Sequence, residues 1–196
     1  MSVEFFECGV LYRGVLSPRA AQRTGRIVDA FRRYSRSSFF KQPINDPLGS
    51  DSRVLKAWLA CGDTATSFPP LAEDYDLDTD AASWGASAVQ ELLLVQAVVE
   101  DNTVTGANTE RTFVQTYPPL TAIARHDDRG KSSCIVGLSG LGEFRTFADS
   151  DTPHPTEIIP IASGDVFHFY GHGWHDASNP SAITYRNTLN LILCSV

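Results

Sequence analysis

The spacing of apolar residues predicts two long helices in the first half of the chain. Residues 19–33 place apolar side chains at helical intervals between arginines, and the preceding Ser17-Pro18 has the chemistry of an N-cap followed by a first helical residue. Residues 84–100 carry apolar residues around a wide face, which predicts a second, well-buried helix. We therefore expect helical support from this half.

Shorter features separate these helices. The sequence predicts a short helix over residues 53–61. Runs of Pro, Gly, Asn and Asp predict loops at residues 42–51 and 67–80, the second of them acidic.

From residue 111 onward the pattern changes to short β-rich runs separated by Gly, Pro and Asp. These runs are residues 112–117, 122–128, 133–138, 143–147, 157–161, 166–170 and 185–195. Many short strands predict a sandwich or barrel, and helices followed by strands predict an α+β fold. We expect one domain over residues 1–196, in which the helices of residues 1–110 buttress a β-barrel formed by residues 111–196.

Composition narrows the choice of function. The chain has 196 residues, of which 42% are hydrophobic, and this suits one compact core. Its formal net charge of −7 argues against a dedicated duplex-binding protein, because phosphate contacts use clustered Lys and Arg. No apolar run approaches the roughly 20 residues that span a bilayer. Charges near the N-terminus, where a secretory signal would be apolar, predict an intracellular, cytoplasmic protein.

The segment that ends at His126-Asp127-Asp128 carries the first candidate chemistry. Side chains alternate faces along a strand, so His126 and Asp128 are predicted to point the same way while Asp127 points away. A second His from elsewhere would complete the 2-His-1-carboxylate set that holds non-haem Fe(II) and leaves coordination positions open.

Three histidines compete for that third position. His168 lies within a predicted strand between two phenylalanines, which is compatible with a core histidine. His172 lies in a glycine-flanked turn, and His175 follows Trp174 just before a loop-like segment. The local sequence leaves the choice between His172 and His175 open.

The last predicted strand offers an anion-binding residue. Arg186, Thr188 and Asn190 share one face by alternation, and leucines occupy the other. A buried Arg needs an anionic partner, and its planar guanidinium suits a bidentate grip on a carboxylate. That partner is either a structural Asp or Glu or, beside an iron site, a bound dicarboxylate.

Together these residues resemble the Fe(II)/2-oxoglutarate-dependent dioxygenases, which have a double-stranded β-helix fold of the jelly-roll or cupin type. The ordered set is His126-x-Asp128, Gly164-Asp165, His175 and Arg186. The resemblance covers residues 112–195, and its spacing favours His175 as the third iron ligand. It implies that 2-oxoglutarate and O₂ take the open positions and that Arg186, with the hydroxyl of Thr188, binds the distal carboxylate.

Within this superfamily the motif is most similar to the AlkB-like branch. That likeness implies that Tyr117 bonds the co-substrate, with Gln115 in the position of the branch's Asn, and that Asn190 lies beside them. Two positions depart from the branch. Ile192 stands where a second Arg would help to hold the other end of 2-oxoglutarate, and Leu120 stands where the branch has Gly.

These patterns lead to three expectations for function. The first is oxidation of a C–H bond in a small-molecule or amino-acid-like substrate, with release of succinate and CO₂. The alternatives are oxidative demethylation of nucleic acid, as in the AlkB-like branch, and a non-catalytic cupin-like ligand-binding module. The acidic charge favours the small molecule over nucleic acid, with no membrane partner. The first half of the chain is expected to carry a substrate lid.

Overall fold

The computed structural model of the protein describes residues 1–34, 54–61, 79–103 and 109–193. In these ranges two helices and eleven strands form. The helices are α1 (Pro18–Tyr34) and α2 (Thr79–Thr103). The strands are β1 (Ser2–Phe6), β2 (Gly9–Arg13), β3 (Leu55–Cys61), β4 (Thr109–Tyr117), β5 (Thr121–Ala122), β6 (Ser133–Ser139), β7 (Gly142–Phe147), β8 (Glu157–Ile161), β9 (Val166–Phe169), β10 (Trp174–Asn179) and β11 (Arg186–Leu193).

The strands form two antiparallel sheets. The major sheet has seven strands in the order β1-β2-β9-β6-β11-β4-β3, and the minor sheet has four in the order β5-β10-β7-β8. Several neighbours, such as β2 and β9 or β4 and β11, are distant in sequence, as in a jelly roll, and neither sheet closes on itself. The prediction of a double-stranded β-helix with helices against it is confirmed.

Two apolar clusters show how the layers pack. One contains residues of α1, α2 and one face of the major sheet, including Leu92, Val136 and Leu189. The other, which we call the interior cluster, fills the space between the sheets with residues such as Ile135, Phe144 and Phe167. Side chains alternate between the two faces of each strand. One face of the major sheet therefore packs against the helices, and the polar residues of the other face lie in the barrel interior.

Both predicted long helices form. Ser17 caps α1, because its Oγ accepts a hydrogen bond from the Ala20 amide at 3.2 Å and Pro18 begins the helix. The apolar face of α2 is narrower than the sequence suggested. Leu92, Val95 and Val99 are buried, whereas Leu93 and Val98 are exposed. No helix in the described ranges is both long and apolar enough to cross a membrane.

The helix predicted over residues 53–61 is wrong, because this segment is strand β3, hydrogen-bonded to β4. Strands β1 and β2 were also missed. The major sheet therefore takes strands from both sides of residue 110, while the division into a support and a barrel core at that point stays a prediction. The loops predicted at residues 42–51 and, for the most part, 67–80 lie outside the described residues.

Two further strand predictions need correction. Residues 122–128 do not form a continuous strand: β5 ends at Ala122, and only His126 pairs again, through a single bridge to His175. Conversely, the loop-like segment after Trp174 is strand β10. Its polar residues are buried with partners; Asn179 Nδ2, for example, donates to the carbonyls of Tyr117 and Thr184 at 2.9 and 2.8 Å.

Candidate metal centre

His126, Asp128 and His175 converge at one end of the barrel interior. Nε2 of His126 lies 3.6 Å from Oδ1 of Asp128, and Nε2 of His175 lies 3.5 Å from Oδ2 of the same carboxylate. One ligand atom from each residue falls within 4.8 Å of the others. Two imidazole nitrogens and one carboxylate at this spacing are a donor set that suits non-haem iron.

Backbone pairing brings the two histidines together. The amide of each donates to the carbonyl of the other at 2.9 Å, so His126 is bridged to β10 although its own segment has left the sheet. Asp128 follows two residues later, just before a turn in which Arg129 has φ 55° and Gly130 has φ 86°. The convergence of His126 and Asp128 therefore comes from one bridge and a turn, not from a regular strand.

The other candidate histidines lie elsewhere. His172 is exposed beside Gly130, outside the cluster. The ring of His168 bonds Ser132 Oγ at 2.8 Å through Nε2. His175 joins His126 and Asp128, and its role as an iron ligand stays a prediction.

Both clustered imidazoles are oriented by backbone carbonyls. Nδ1 of His126 contacts the Ala124 carbonyl at 2.8 Å, and Nδ1 of His175 contacts the Gly173 carbonyl at 3.0 Å. A carbonyl can only accept, so each Nδ1 carries a proton, and Nε2 is the nitrogen that faces Asp128. Such contacts fix ring tautomer and direction in metal sites.

Electrostatics keep Asp128 ionised. Burial raises the pKa of this carboxyl, but the hydrogen bond and charge of His175, together with the charges of His126 and Lys56, lower it below its ordinary value. The carboxylate is thus available as an anionic ligand near neutral pH.

Aromatic rings of the interior cluster surround His175. Its ring stacks on Phe144 with centroids 5.0 Å apart and planes 18° apart, and lies 4.4 Å from the ring of Phe169. These aromatic rings hold the imidazole in place and keep water away from one side of the cluster.

Arg186 lies on the inner face as predicted, and its charge is buried. The residue is 1% exposed, and burial lowers the pKa of the guanidinium. Nη1 donates to the Ser178 carbonyl at 2.9 Å, while Nε and Nη2 have no hydrogen-bond partner among the described residues. The charge of Glu143 opposes that lowering of the pKa, although no Asp or Glu in the described chain forms an ion pair with Arg186. The choice between a structural carboxylate and a bound dicarboxylate stays a prediction.

The other predicted co-substrate residues lie along the same inner face as Arg186. Tyr117 is directly opposite it on β4, with the guanidinium carbon 4.9 Å from the ring centroid, and the Tyr117 hydroxyl donates to Oε1 of Gln115 at 2.9 Å. Burial raises the pKa of Tyr117 to about 12, so the phenol stays neutral. Thr188 pairs with Gln115 across the strands, and its Oγ1 accepts from Asn190 Nδ2 at 2.9 Å.

Two residues that shape this interior were missed in the sequence. Gly142 leaves room for Arg186, since a Cβ at this position would lie 1.9 Å from the guanidinium Nε. Lys56 extends over the ring of Phe113, with Nζ 3.7 Å from the centroid. Assigning residues 53–61 to a helix concealed Lys56, because only strand pairing with β4 directs it into the barrel. Asp165 lies outside the site, where its Oδ2 is 2.7 Å from Nη1 of Arg13.

Comparison with solved structures identifies the fold. No protein-family model and no curated protein matches the sequence. The non-heme alpha ketoglutarate dependent carbocyclase SnoK from nogalamycin biosynthesis is 11% identical, covering 95% of this chain and 80% of its own, with a TM-score of 0.59. OsALKBH1 is 12% identical, covering 99% and 100%, with a TM-score of 0.56. A Pseudomonas putida prolyl-4-hydroxylase is 14% identical, covering 97% and 94%, with a TM-score of 0.52.

At such low identity these likenesses speak to the architecture alone. The chain has the double-stranded β-helix fold of the Fe(II)/2-oxoglutarate oxygenases.

Proposed function

We propose that the protein is a non-haem Fe(II)/2-oxoglutarate-dependent dioxygenase that oxidises a C–H bond of a small-molecule or amino-acid-like substrate. The fold alone admits other functions, since barrels of this type also serve as ligand-binding modules. The proposal depends on what the interior of this particular barrel contains.

The observation that carries the proposal is a buried guanidinium on the inner face of the barrel that holds the His-Asp-His cluster, with Nε and Nη2 lacking hydrogen-bond partners among the described residues. A charge at 1% exposure is costly unless an anion meets it. A metal site has no need of such a group, whereas a dicarboxylate co-substrate supplies the missing partner. The parallel N–H groups of Arg186 suit one carboxylate in bidentate fashion.

Each residue then has a defined part. His126, Asp128 and His175 would hold Fe(II) through two Nε2 atoms and one carboxylate, which leaves other coordination positions for ligands. Nε and Nη2 of Arg186 would bind the distal carboxylate of 2-oxoglutarate. Tyr117 is a neutral phenol with one hydroxyl proton, and it would turn that proton from Gln115 to the carboxylate when 2-oxoglutarate binds.

The remaining inner-face polar groups support this arrangement. Gln115 accepts the proton of the Tyr117 hydroxyl, whereas Asn190 donates to the Thr188 hydroxyl and leaves the Thr188 proton available to a ligand. When bound, Fe(II) and 2-oxoglutarate would supply the activation of O₂, with succinate and CO₂ as co-products. The chain itself orients these groups and excludes water with Phe144 and Phe169.

The substrate class follows from charge. A net charge of −7 gives no general attraction for phosphate backbones, so a small molecule is proposed ahead of nucleic acid. The test for nucleic acid is direct: oxygen-dependent demethylation of a methylated oligonucleotide by the wild-type protein would replace the small-molecule proposal with the AlkB-like one.

The proposed reaction is tested by succinate formation. Protein supplied with Fe(II), ascorbate, 2-oxoglutarate and a mixture of candidate small molecules should release succinate in air and none without oxygen. Asp128→Ala should abolish the release, and His172→Ala should retain it. Binding of 2-oxoglutarate without any oxygen-dependent succinate would indicate a cupin-like binding module instead.

A further inference from the structure

The register of the paired strands shows which residues lie at each end of the barrel interior. Arg186 faces Tyr117 at one end of β11, and Ile192 faces Arg111 near the other. Ile192 also pairs with Ser133, and Ser133 pairs with Phe169. Because the ring of Phe169 contacts His175, the Ile192 end of β11 is the end at which the metal cluster lies.

Lys56 brings a positive charge toward this metal end. It pairs with Gln115 on β4, so it starts level with Thr188, midway along the interior. Its Nζ lies over the ring of Phe113, which is the next inner-face residue of β4 in the direction of Arg111. The side chain therefore leans from the middle of the barrel toward the cluster.

The electrostatics of Lys56 agree with this direction. Burial lowers the pKa of its amine to about 8, the charge of Asp128 opposes that fall, and the charge of Arg111 adds to it. The ammonium thus lies within electrostatic range of a member of the cluster. A compact ammonium on a flexible stem is suited to a single oxygen of a carboxylate beside a metal.

A ligand that binds the metal through one oxygen of a carboxylate leaves the second oxygen of that group for a cation. The divalent ion balances this carboxylate and Asp128 together, and an ammonium close by would stabilise the oxygen that does not contact the metal. Ile192 on β11 offers no charge there. Arg111, directly opposite, has its Nε 3.0 Å from Glu110, so its charge already has a carboxylate partner.

We infer that Lys56 contacts the 2-oxo-acid carboxylate of 2-oxoglutarate, so that β3 supplies at the metal end a cation that β11 lacks. Arg186 and Lys56 then meet opposite ends of one dicarboxylate, and Lys56 is a positioning residue for the co-substrate. The inference rests on the proposed function, because it takes 2-oxoglutarate as the ligand of this barrel.

The test separates the two ends of the ligand with a matched pair of probes. 2-Oxoglutarate carries both carboxylates, and 2-oxopentanoate has the same chain length but lacks the distal one. Both are titrated calorimetrically into the Mn(II)-loaded protein without oxygen, with manganese content measured in each sample. This readout needs no turnover.

Lys56→Met should weaken binding of both probes by the same factor, about 10- to 100-fold, since a hydrogen bond to a charged group is lost at the end they share. Arg186→Met should weaken 2-oxoglutarate alone, down to the level of 2-oxopentanoate. Lys56→Arg should keep most of the affinity because it keeps the charge. Lys131→Met, at an exposed lysine, should match wild type.

Equal affinity of Lys56→Met and wild type for both probes would overturn the inference, as would a loss confined to 2-oxoglutarate. Loss of manganese from Lys56→Met would also contradict it, because the residue is assigned to the ligand and not to the metal. Failure of the proposed function looks different: the Mn(II)-loaded wild type would bind neither probe.

Discussion

Replacement of Arg186 by Met separates a co-substrate anchor from a structural arginine. Met keeps most of the apolar stem and removes the charge. Nε and Nη2 have no partner in the described protein, so their bonds would form only with a bound carboxylate. Two charge-assisted hydrogen bonds are worth about 3–6 kcal/mol together, at about 1.5–3 kcal/mol each. The variant should therefore bind 2-oxoglutarate roughly 100- to 10,000-fold more weakly.

The same change should spare or raise the stability of the ligand-free protein. Removing a buried charge that lacks an ionic partner gains up to about 4 kcal/mol, and losing the bond from Nη1 to the Ser178 carbonyl costs about 1 kcal/mol. The free energy of unfolding should stay level or increase by up to about 3 kcal/mol. For a chain of this length, each kcal/mol moves the melting temperature by about 2–4 °C.

The assay pairs calorimetric titration of 2-oxoglutarate into Mn(II)-loaded protein with denaturant unfolding of the metal-free protein. Arg145→Met is the matched control. Arg145 binds buried Asp176 through two bonds of 2.7 and 3.0 Å, so its loss leaves an unpaired carboxylate and should destabilise the protein by about 3 kcal/mol. If Arg186→Met instead loses stability like this control and keeps its affinity for 2-oxoglutarate, Arg186 has a structural role and does not anchor the co-substrate.

Three other changes test the site and the fold. Mn(II) at 100 times its Kd should raise the melting temperature of the wild type by about 5–10 °C. His175→Ala should abolish this rise and His172→Ala should keep it, and the reverse result would make His172 the third ligand. Gly142→Ala should weaken the binding of 2-oxoglutarate at least roughly tenfold, because the added Cβ displaces the guanidinium of Arg186. The same change in Arg186→Met should cause no further loss of affinity, and additive losses would show that Gly142→Ala does not act through Arg186. Ser17→Ala should cost about 1 kcal/mol of unfolding free energy in denaturant titrations, and an unchanged value would deny the N-cap.

The sequence predicted the features that depend on local periodicity. Alternation along β11 placed Arg186 and Thr188 on the inner face, and the Ser17-Pro18 pair marked the start of α1. The spacing of His126 and Asp128 also identified residues that meet in space, although through a bridge and a turn and not through the strand that was expected.

The features that were missed depend on pairing between distant segments. Lys56 lies among Leu and Ala residues that favour a helix in isolation, and hydrogen bonding to β4 overrides that preference. The polar sequence after Trp174 resembles a loop, yet partners from distant parts of the chain bury Asp176 and Asn179 within β10. No local pattern encodes which strand lies next to which.

The metal ligands and the co-substrate anchor can be tested together by a crystal structure of the protein with Mn(II) and 2-oxoglutarate, prepared without oxygen. We expect one metal bound by Nε2 of His126, Nε2 of His175 and the carboxylate of Asp128, with the distal carboxylate of 2-oxoglutarate on Nε and Nη2 of Arg186. A metal held by other residues, or a 2-oxoglutarate that makes no contact with Arg186, would contradict it.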